Sequence, residues 1–260
     1  MTQNIVMIGA AGGLGAAIAK DYAAEGARLV LVGRNRDALL ELAQEIGGQT
    51  QVFTADLTNA ASLAALHEDC QRYFGTIDLV VNAAGVDVRK DFLSHSLEDI
   101  ERSLQVNLLG AILLTRAFLP GMLAAKKGQI IHLGGFADGR LAFPFYSVDV
   151  ATRAGLRSFI ESVNREIEGS GVVLTYFCPA AADTPVERPY HALWREMGIT
   201  IASPEAVAAT VVRASRHRRP LHIMGIGAQL LAAINAICPG IADWLVLRRY
   251  RTLMARHLAQ

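Results

Sequence analysis

Cysteine is scarce in this sequence of 260 residues, and the three present, Cys70, Cys178 and Cys238, lie far apart with no Cys-x-x-Cys pair. That pattern excludes a disulfide framework and a zinc knuckle, and it points to reduced thiols in a cytoplasm. No metal-ligating pattern stands out. Net charge is nearly absent too: 25 basic residues against 24 acidic ones leave +1, so no global field draws the chain to nucleic acid. The start has no basic segment of the secretory kind, and its apolar residues run directly into Gly9. Charged residues make up 19% and hydrophobic ones 52%, which is too apolar for disorder and ample for a continuous core. With no fixed repeat and no low-complexity linker, residues 1–260 read as a single domain.

Acidic residues almost vanish towards the end. From Ile201 onward only Glu205 and Asp243 oppose Arg213, Arg216, Arg218, Arg219, Arg248, Arg249, Arg251 and Arg256. Residues 227–260 read as an apolar and basic helical extension, nearly uncharged from Gly227 to Leu247 and followed by Arg248-Arg249-Tyr250-Arg251. Gln229, Asn235, Pro239-Gly240 and Asp243 interrupt the run, which argues against a bilayer-spanning helix. Two readings stay open. The favoured one is a helix pair buried between subunits of a homo-oligomer, a dimer or tetramer; the other is a basic amphipathic element lying peripherally on an anionic membrane.

What the chain has in abundance is alternation. Short β-branched runs at Ile5–Ile8, Leu29–Val32, Val52–Ala55, Leu79–Asn82, Ile130–Leu133, Val172–Phe177 and Leu221–Met224 predict seven strands. Two of the seven are continuously apolar and the other five carry a single polar residue each, a composition expected of strands covered on both faces. Helical patterns fill the gaps at Gly15–Glu25, Asp37–Ile46, Ser62–Phe74, Leu97–Ala125 and Tyr146–Glu168, with Gly26, Gly47, Gly75, Gly128 and Gly169 where helix C-caps belong. Repeated βα units predict an α/β fold: a doubly wound, seven-stranded parallel sheet of Rossmann type.

The first strand ends in Gly9-Ala10-Ala11-Gly12-Gly13-Leu14-Gly15 and a helix follows at once. Such a turn brings backbone N–H groups and the positive helix end to a pyrophosphate. The second strand ends in Gly33-Arg34-Asn35-Arg36, with no acid to bond a ribose hydroxyl and an arginine able to hold a 2′-phosphate, so NADP is favoured over NAD.

From Ile5 to about Thr184 the sequence resembles the short-chain dehydrogenase/reductase family, keeping Gly9, Gly13 and Gly15 of its Thr-Gly-x-x-x-Gly-x-Gly loop with Ile8 for the threonine. Asp56, before Leu57, resembles the family's acidic residue beside the adenine. Asn82-Ala83-Ala84-Gly85 is similar to its Asn-Asn-Ala-Gly strand end, and Asn107 to the asparagine of its long central helix. Pro179 to Thr184 resembles its Pro-Gly-x-x-x-Thr segment, with Ala180 for the glycine. The resemblance implies cofactor contacts at Gly9, Gly12, Gly13, Leu14, Gly15, Arg34, Asp56, Leu57, Asn82, Ala84, Gly85, Pro179 and Thr184.

The same resemblance makes Tyr146 the acid/base and Asn107 the residue that orders helix and water. The family's lysine, four residues beyond the tyrosine, is replaced by Val150, and its serine falls near Gly134-Gly135. A free tyrosine titrates near ~10, so about one in a thousand is ionised at neutral pH without a neighbouring cation. Arg153 shares a helical stripe with Tyr146 and Val150 and lies roughly 10 Å along the axis; it is the candidate surrogate cation, although pairing with Asp149, with Glu161 or across a subunit interface is its simpler role. His132 and Cys178 read first as core residues. Residues 185–202, rich in aromatic and apolar side chains, are expected to form a lid over a hydrophobic small molecule or an ordered helix packed on the body. The leading expectation is an atypical NADP-dependent oxidoreductase acting on a hydrophobic carbonyl or alcohol. A non-redox lyase, isomerase or cyclase, and a catalytically silent NADP-binding subunit, are the alternatives.

Overall fold

A computed structural model describes residues 2–135 and 139–258; the last two residues of the expected C-terminal extension lie outside them. Seven strands, β1 (Asn4–Ile8), β2 (Arg28–Gly33), β3 (Thr50–Thr54), β4 (Leu79–Asn82), β5 (Gly128–Leu133), β6 (Val172–Cys178) and β7 (Leu221–Ile223), form one sheet. Their order is β3-β2-β1-β4-β5-β6-β7 and every pairing is parallel. The winding direction reverses between β1 and β4, and in such sheets the crevice beyond that switch point is where ligands bind.

The apolar runs behave as period-2 strands buried on both faces. Val6, Ile8, Val30 and Val32 face α3 (Ala60–Phe74), α5 (Gly110–Ala124) and α6 (Ser147–Glu166), meeting Leu63, Phe118 and Leu156. Their neighbours Ile5, Met7, Leu29 and Leu31 face α1 (Gly13–Ala24) and α8 (Pro204–His217), meeting Ile18, Tyr22 and Val211. Helix starts follow from their caps. Asn35 accepts from the Asp37 and Ala38 amides to open α2 (Arg36–Ile46), and Ser96 and Asp99 form a reciprocal capping box at α4 (Leu97–Ser103).

Two expectations change. The helix expected over Leu97–Ala125 is three pieces, because a π-helical segment at Leu104–Leu109 separates α4 from α5. Gly128 opens β5 instead of capping the preceding helix, since Lys126 takes the left-handed turn at φ 52°. By length and composition Leu97–Ala124 is apolar enough to cross a membrane, yet its Ala111, Leu114, Phe118 and Met122 are buried on the sheet.

After β6 come α7 (His191–Glu196) and α8, and after β7 come α9 (Ile226–Ile237) and α10 (Pro239–Leu258). Leu193, Trp194 and Met197 pack with Met254 and Leu258 of α10, so the segment over residues 185–202 is tied to the C-terminal helix.

Candidate active site

β1 delivers the chain into a turn whose geometry leaves no room for side chains. Gly9 has φ +74°, and a Cβ there would stand 2.7 Å from the Ala84 nitrogen; one on Gly15 would stand 2.1 Å from the Gly9 carbonyl oxygen. Gly12 caps α1 without a side-chain hydrogen bond, so the first amides of this helix of 12 residues remain available to an anion. A Cβ on Gly13 would come within 2.9 Å of the Thr184 methyl, which places the Pro179–Thr184 segment against the loop. Arg34, at the end of β2, and Asp56, after β3, are both exposed. Hydrogen bonds from the backbone and hydroxyl of Thr58, with help from Arg34, hold the Asp56 carboxyl below its ordinary value. Leu57 is buried, and a Cβ on Gly110 would stand 3.2 Å from its Cβ.

Asn82 closes β4 inside a buried chain of hydrogen bonds that fixes one tautomer of His132. The Thr115 hydroxyl donates to the Ala111 carbonyl at 2.9 Å, so its oxygen accepts from His132 Nε2 at 3.0 Å. His132 Nδ1 must then accept from Asn82 Nδ2 at 3.1 Å, and Asn82 Oδ1 accepts from the Ala84 amide at 3.2 Å. Burial pushes the His132 imidazole down to about 4, keeping it neutral. His132 is thus a core residue that orients the Asn82–Ala84 strand end.

Beyond β4, β5 and β6 opens a cavity of about 490 Å³, lined on the sheet side by Leu14, Ala84, Gly85, Gly134, Pro179 and Thr184 and on the other by Tyr146, Trp194, Met197 and Met254. Tyr146 caps α6, directly after Phe145 at φ 67°. Its hydroxyl is buried with no hydrogen-bond partner among the described residues. Asn107, in the π-helical segment, spends both side-chain atoms on Val86, accepting from its amide at 2.9 Å and donating to its carbonyl at 2.8 Å. That bond pair fixes the loop after Gly85.

The cation beside Tyr146 is Arg89. Its guanidinium carbon lies 5.3 Å from the Tyr146 ring centre, 4.0 Å from Tyr190 and 5.2 Å from Trp194. Arg89 is ion-paired with Asp87 and Glu187, and Glu187 also accepts from Trp194 Nε1 at 2.8 Å. Burial opposes the Arg89 charge, but Tyr146, Asp87 and Glu187 outweigh it and hold its pKa above the ordinary arginine value. Burial raises Tyr146 well above an ordinary tyrosine; Arg89 opposes that, while Asp87, Glu187 and Asp149 add to it. Arg153 pairs instead with Asp149 at 3.1 Å and donates to the Leu133 carbonyl at 3.4 Å, its guanidinium lying against Gly85 and its stem against Gly135.

Residues 3–192 match the short chain dehydrogenase family model. The chain belongs to the short-chain dehydrogenase family. It is 30% identical to the ketoacyl reductase HetN of Nostoc sp., over 93% of this chain and 87% of that protein. It is 31% identical to a fatty acyl-CoA reductase of Mycobacterium tuberculosis, over 96% and 86%. A metagenomic short-chain oxidoreductase solved in complex with NADP superposes with a TM-score of 0.72 at 26% identity, covering 85% of this chain and 96% of that one. The family is one of oxidoreductases that bind a nicotinamide cofactor, and the glycine turn, the open amides of α1 and the polar strand end at Asn82 fit such a dinucleotide.

At Val150 and Gly134, where the sequence comparison with the family expected a lysine and a serine, the structure shows what fills the space. Val150 packs in the apolar cluster with Tyr146. A Cβ on Gly134 would lie 2.1 Å from Tyr176 Cζ and 2.4 Å from its hydroxyl, so the buried Tyr176 ring occupies the volume of any side chain at 134. The Tyr176 hydroxyl accepts from the Gly135 amide at 3.2 Å. The ion cluster of Asp87, Arg89 and Glu187 was not foreseen. Its only sequence signal is Asp87-x-Arg89 right after Gly85, which reads equally as a solvated turn.

Proposed function

We propose that this protein is an NADP-dependent oxidoreductase that reduces the carbonyl group of a hydrophobic substrate, with Tyr146 as the proton donor. One observation carries the proposal: the Tyr146 hydroxyl is buried, lines the cavity and has no partner among the described residues, so its proton is free for a ligand. The apolar lining contributed by Leu14, Met197 and Met254 suits an aliphatic substrate. The similarity to a ketoacyl reductase and a fatty acyl-CoA reductase supports the same substrate class. Arg34 at the end of β2 supports NADP, as does the likeness to an oxidoreductase solved with that cofactor.

When bound, the cofactor supplies a hydride to the carbonyl carbon. Gly9, Gly12, Gly13 and Gly15 with the start of α1 would hold its pyrophosphate, Arg34 its 2′-phosphate and Asp56 with Leu57 its adenine. Asn82, Ala84, Gly85, Pro179 and Thr184 would frame the nicotinamide end. Because burial keeps Tyr146 as the neutral phenol, it stands ready to donate a proton and ill placed to accept one. An alkoxide is a stronger base than a phenolate, so proton transfer from Tyr146 to the nascent alcohol runs downhill. The phenolate left behind is stabilised by Arg89 and regains its proton from water. This reading favours reduction over oxidation and needs no lysine to create a resting phenolate. Arg153 would act on Tyr146 only indirectly, by holding Asp149 and the Gly85 backbone.

Val150 and the filled space beside Gly134 favour a second reading, a non-redox or silent NADP-binding protein on the same fold. Incubating the protein with NADPH and a panel of 3-oxoacyl thioesters and aliphatic aldehydes separates the two. Consumption of NADPH that is abolished in Tyr146→Phe supports the reductase. Tight NADPH binding without consumption of any carbonyl transfers the assignment to the second reading.

A further inference from the structure

We infer that the face formed by α9 and α10 docks the protein on an anionic lipid surface. On α9, Ile226, Leu230, Ala233 and Ile237 recur at i, i+4, i+7 and i+11, one stripe of the helix, and all are exposed. Ile226 is 85% exposed and Ile237 80%, the opposite of what an amphipathic helix of a closed domain presents to water. On α10, Ile241, Trp244 and Arg248 form the matching stripe, with Leu247 beside it. The inward sides are already satisfied, since Ala232, Ala242 and Val246 pack with Leu141. What remains outside is apolar surface that nothing among the described residues covers.

Charge decides the occupant. Arg248 lies over the Trp244 ring at 5.1 Å, and neither it nor Arg251 has an ion-pair partner among the described residues. The two helices carry a single acid, Asp243. A second copy of this chain on a two-fold axis would present the same patch to itself, leaving arginines to face arginines with only Asp243 to offset them. A membrane rich in anionic lipid meets both components at once: acyl chains receive the isoleucines and leucines, headgroup phosphates receive the arginines, and an indole sits well at the boundary. The buried side of α10 also brings Met254 to the cavity wall, so the docking surface and the cavity share one helix. The inference rests on this surface alone and not on the assignment of a reductase activity.

The test is sedimentation of the full-length protein with vesicles of phosphatidylcholine alone or mixed with phosphatidylglycerol. Binding to the anionic vesicles, weakened by salt and absent on the neutral ones, is expected. Each of Arg248→Glu and Arg251→Glu should lower partitioning on the order of fivefold or more. Both sites are exposed, so unchanged thermal unfolding of these variants confirms an intact fold. Trp244 is exposed and Trp194 buried, so a blue shift of emission on vesicle addition should vanish in Trp244→Phe. No binding to anionic vesicles overturns the inference. So does a wild-type dimer that Ile237→Asp converts to monomer while vesicles bind neither, which would assign the face to a second copy.

Discussion

Around the glycine turn the chain builds its ligand site from backbone: open amides at the start of α1, a Gly9 packed on Ala84, and a Gly15 with no space for a methyl group. Around Tyr146 it uses long side chains brought from separate segments: Arg89 after β4, Tyr146 before α6, Glu187 and Trp194 after β6. The first arrangement is local, with every participant within a few residues of a strand end. The second closes a loop of 98 residues between Arg89 and Glu187. A backbone rim tolerates no added atom but loses nothing when a distant side chain changes. A side-chain wall is the reverse, because its charges depend on each other for solvation.

The largest expected effect therefore falls on the wall. Arg89 has a side chain only 5% exposed, and Arg89→Leu would leave Asp87 and Glu187 facing each other without a cation. Breaking a buried pair in this way costs about 3–5 kcal/mol. Urea unfolding should show that loss, and raising the acidity should partly recover it by protonating Asp87, whose pKa burial already raises. A variant as stable as the wild type would mean that this cluster does not hold the wall together, and the contrast with the glycine rim would collapse.

Between rim and wall stands the Asn82–His132–Thr115 chain, which is wholly buried yet uncharged, and pH probes it. His132 titrates near 4 in the fold, below its ordinary 6.5, so between those values the unfolded chain binds more protons than the folded one. Stability should therefore fall as pH drops from about 6.5 to about 4, by about 3 kcal/mol for this group. Comparing urea midpoints across that window with His132→Gln, which cannot titrate, isolates the term. Parallel profiles for the two proteins would show that His132 is not held neutral by the fold.

These two cases also explain what could be read from the residues alone. The sheet was legible because Val6 and Ile8, or Ile5 and Met7, can be apolar on both faces only in a strand covered twice, and the Gly9–Gly15 turn because its chemistry is contiguous. The break in the Leu97–Ala125 pattern was not legible: Leu104–Leu109 contains no proline or glycine, and its π-helical step follows from tertiary contacts such as the bonds of Asn107 to Val86. Gly128 misled because Lys126 adopts the left-handed conformation that glycine usually takes. Pairing with Asp149, four residues before Arg153 on the same helix, was the simpler role open to it and is the one the structure shows, whereas Arg89 carried no such local signal because its partners Tyr146 and Glu187 lie far along the chain. Nor could any local pattern tell that Tyr176, from the neighbouring strand, fills the volume beside Gly134.

The smallest effect sharpens the contrast from the rim's outer end. Arg34 is exposed and forms no ion pair among the described residues, so removing it should leave the fold untouched. If it holds a 2′-phosphate, Arg34→Ala should weaken NADPH binding by about tenfold, about 1.4 kcal/mol for one exposed charge-assisted contact, and leave NADH binding unchanged. Fluorescence titration with both nucleotides reads the ratio directly. An equal loss for the two would move the discrimination away from β2. An unchanged ratio with tight NADPH binding would mean that the backbone rim alone provides the affinity, as its geometry permits for a pyrophosphate but not for a phosphate on the ribose.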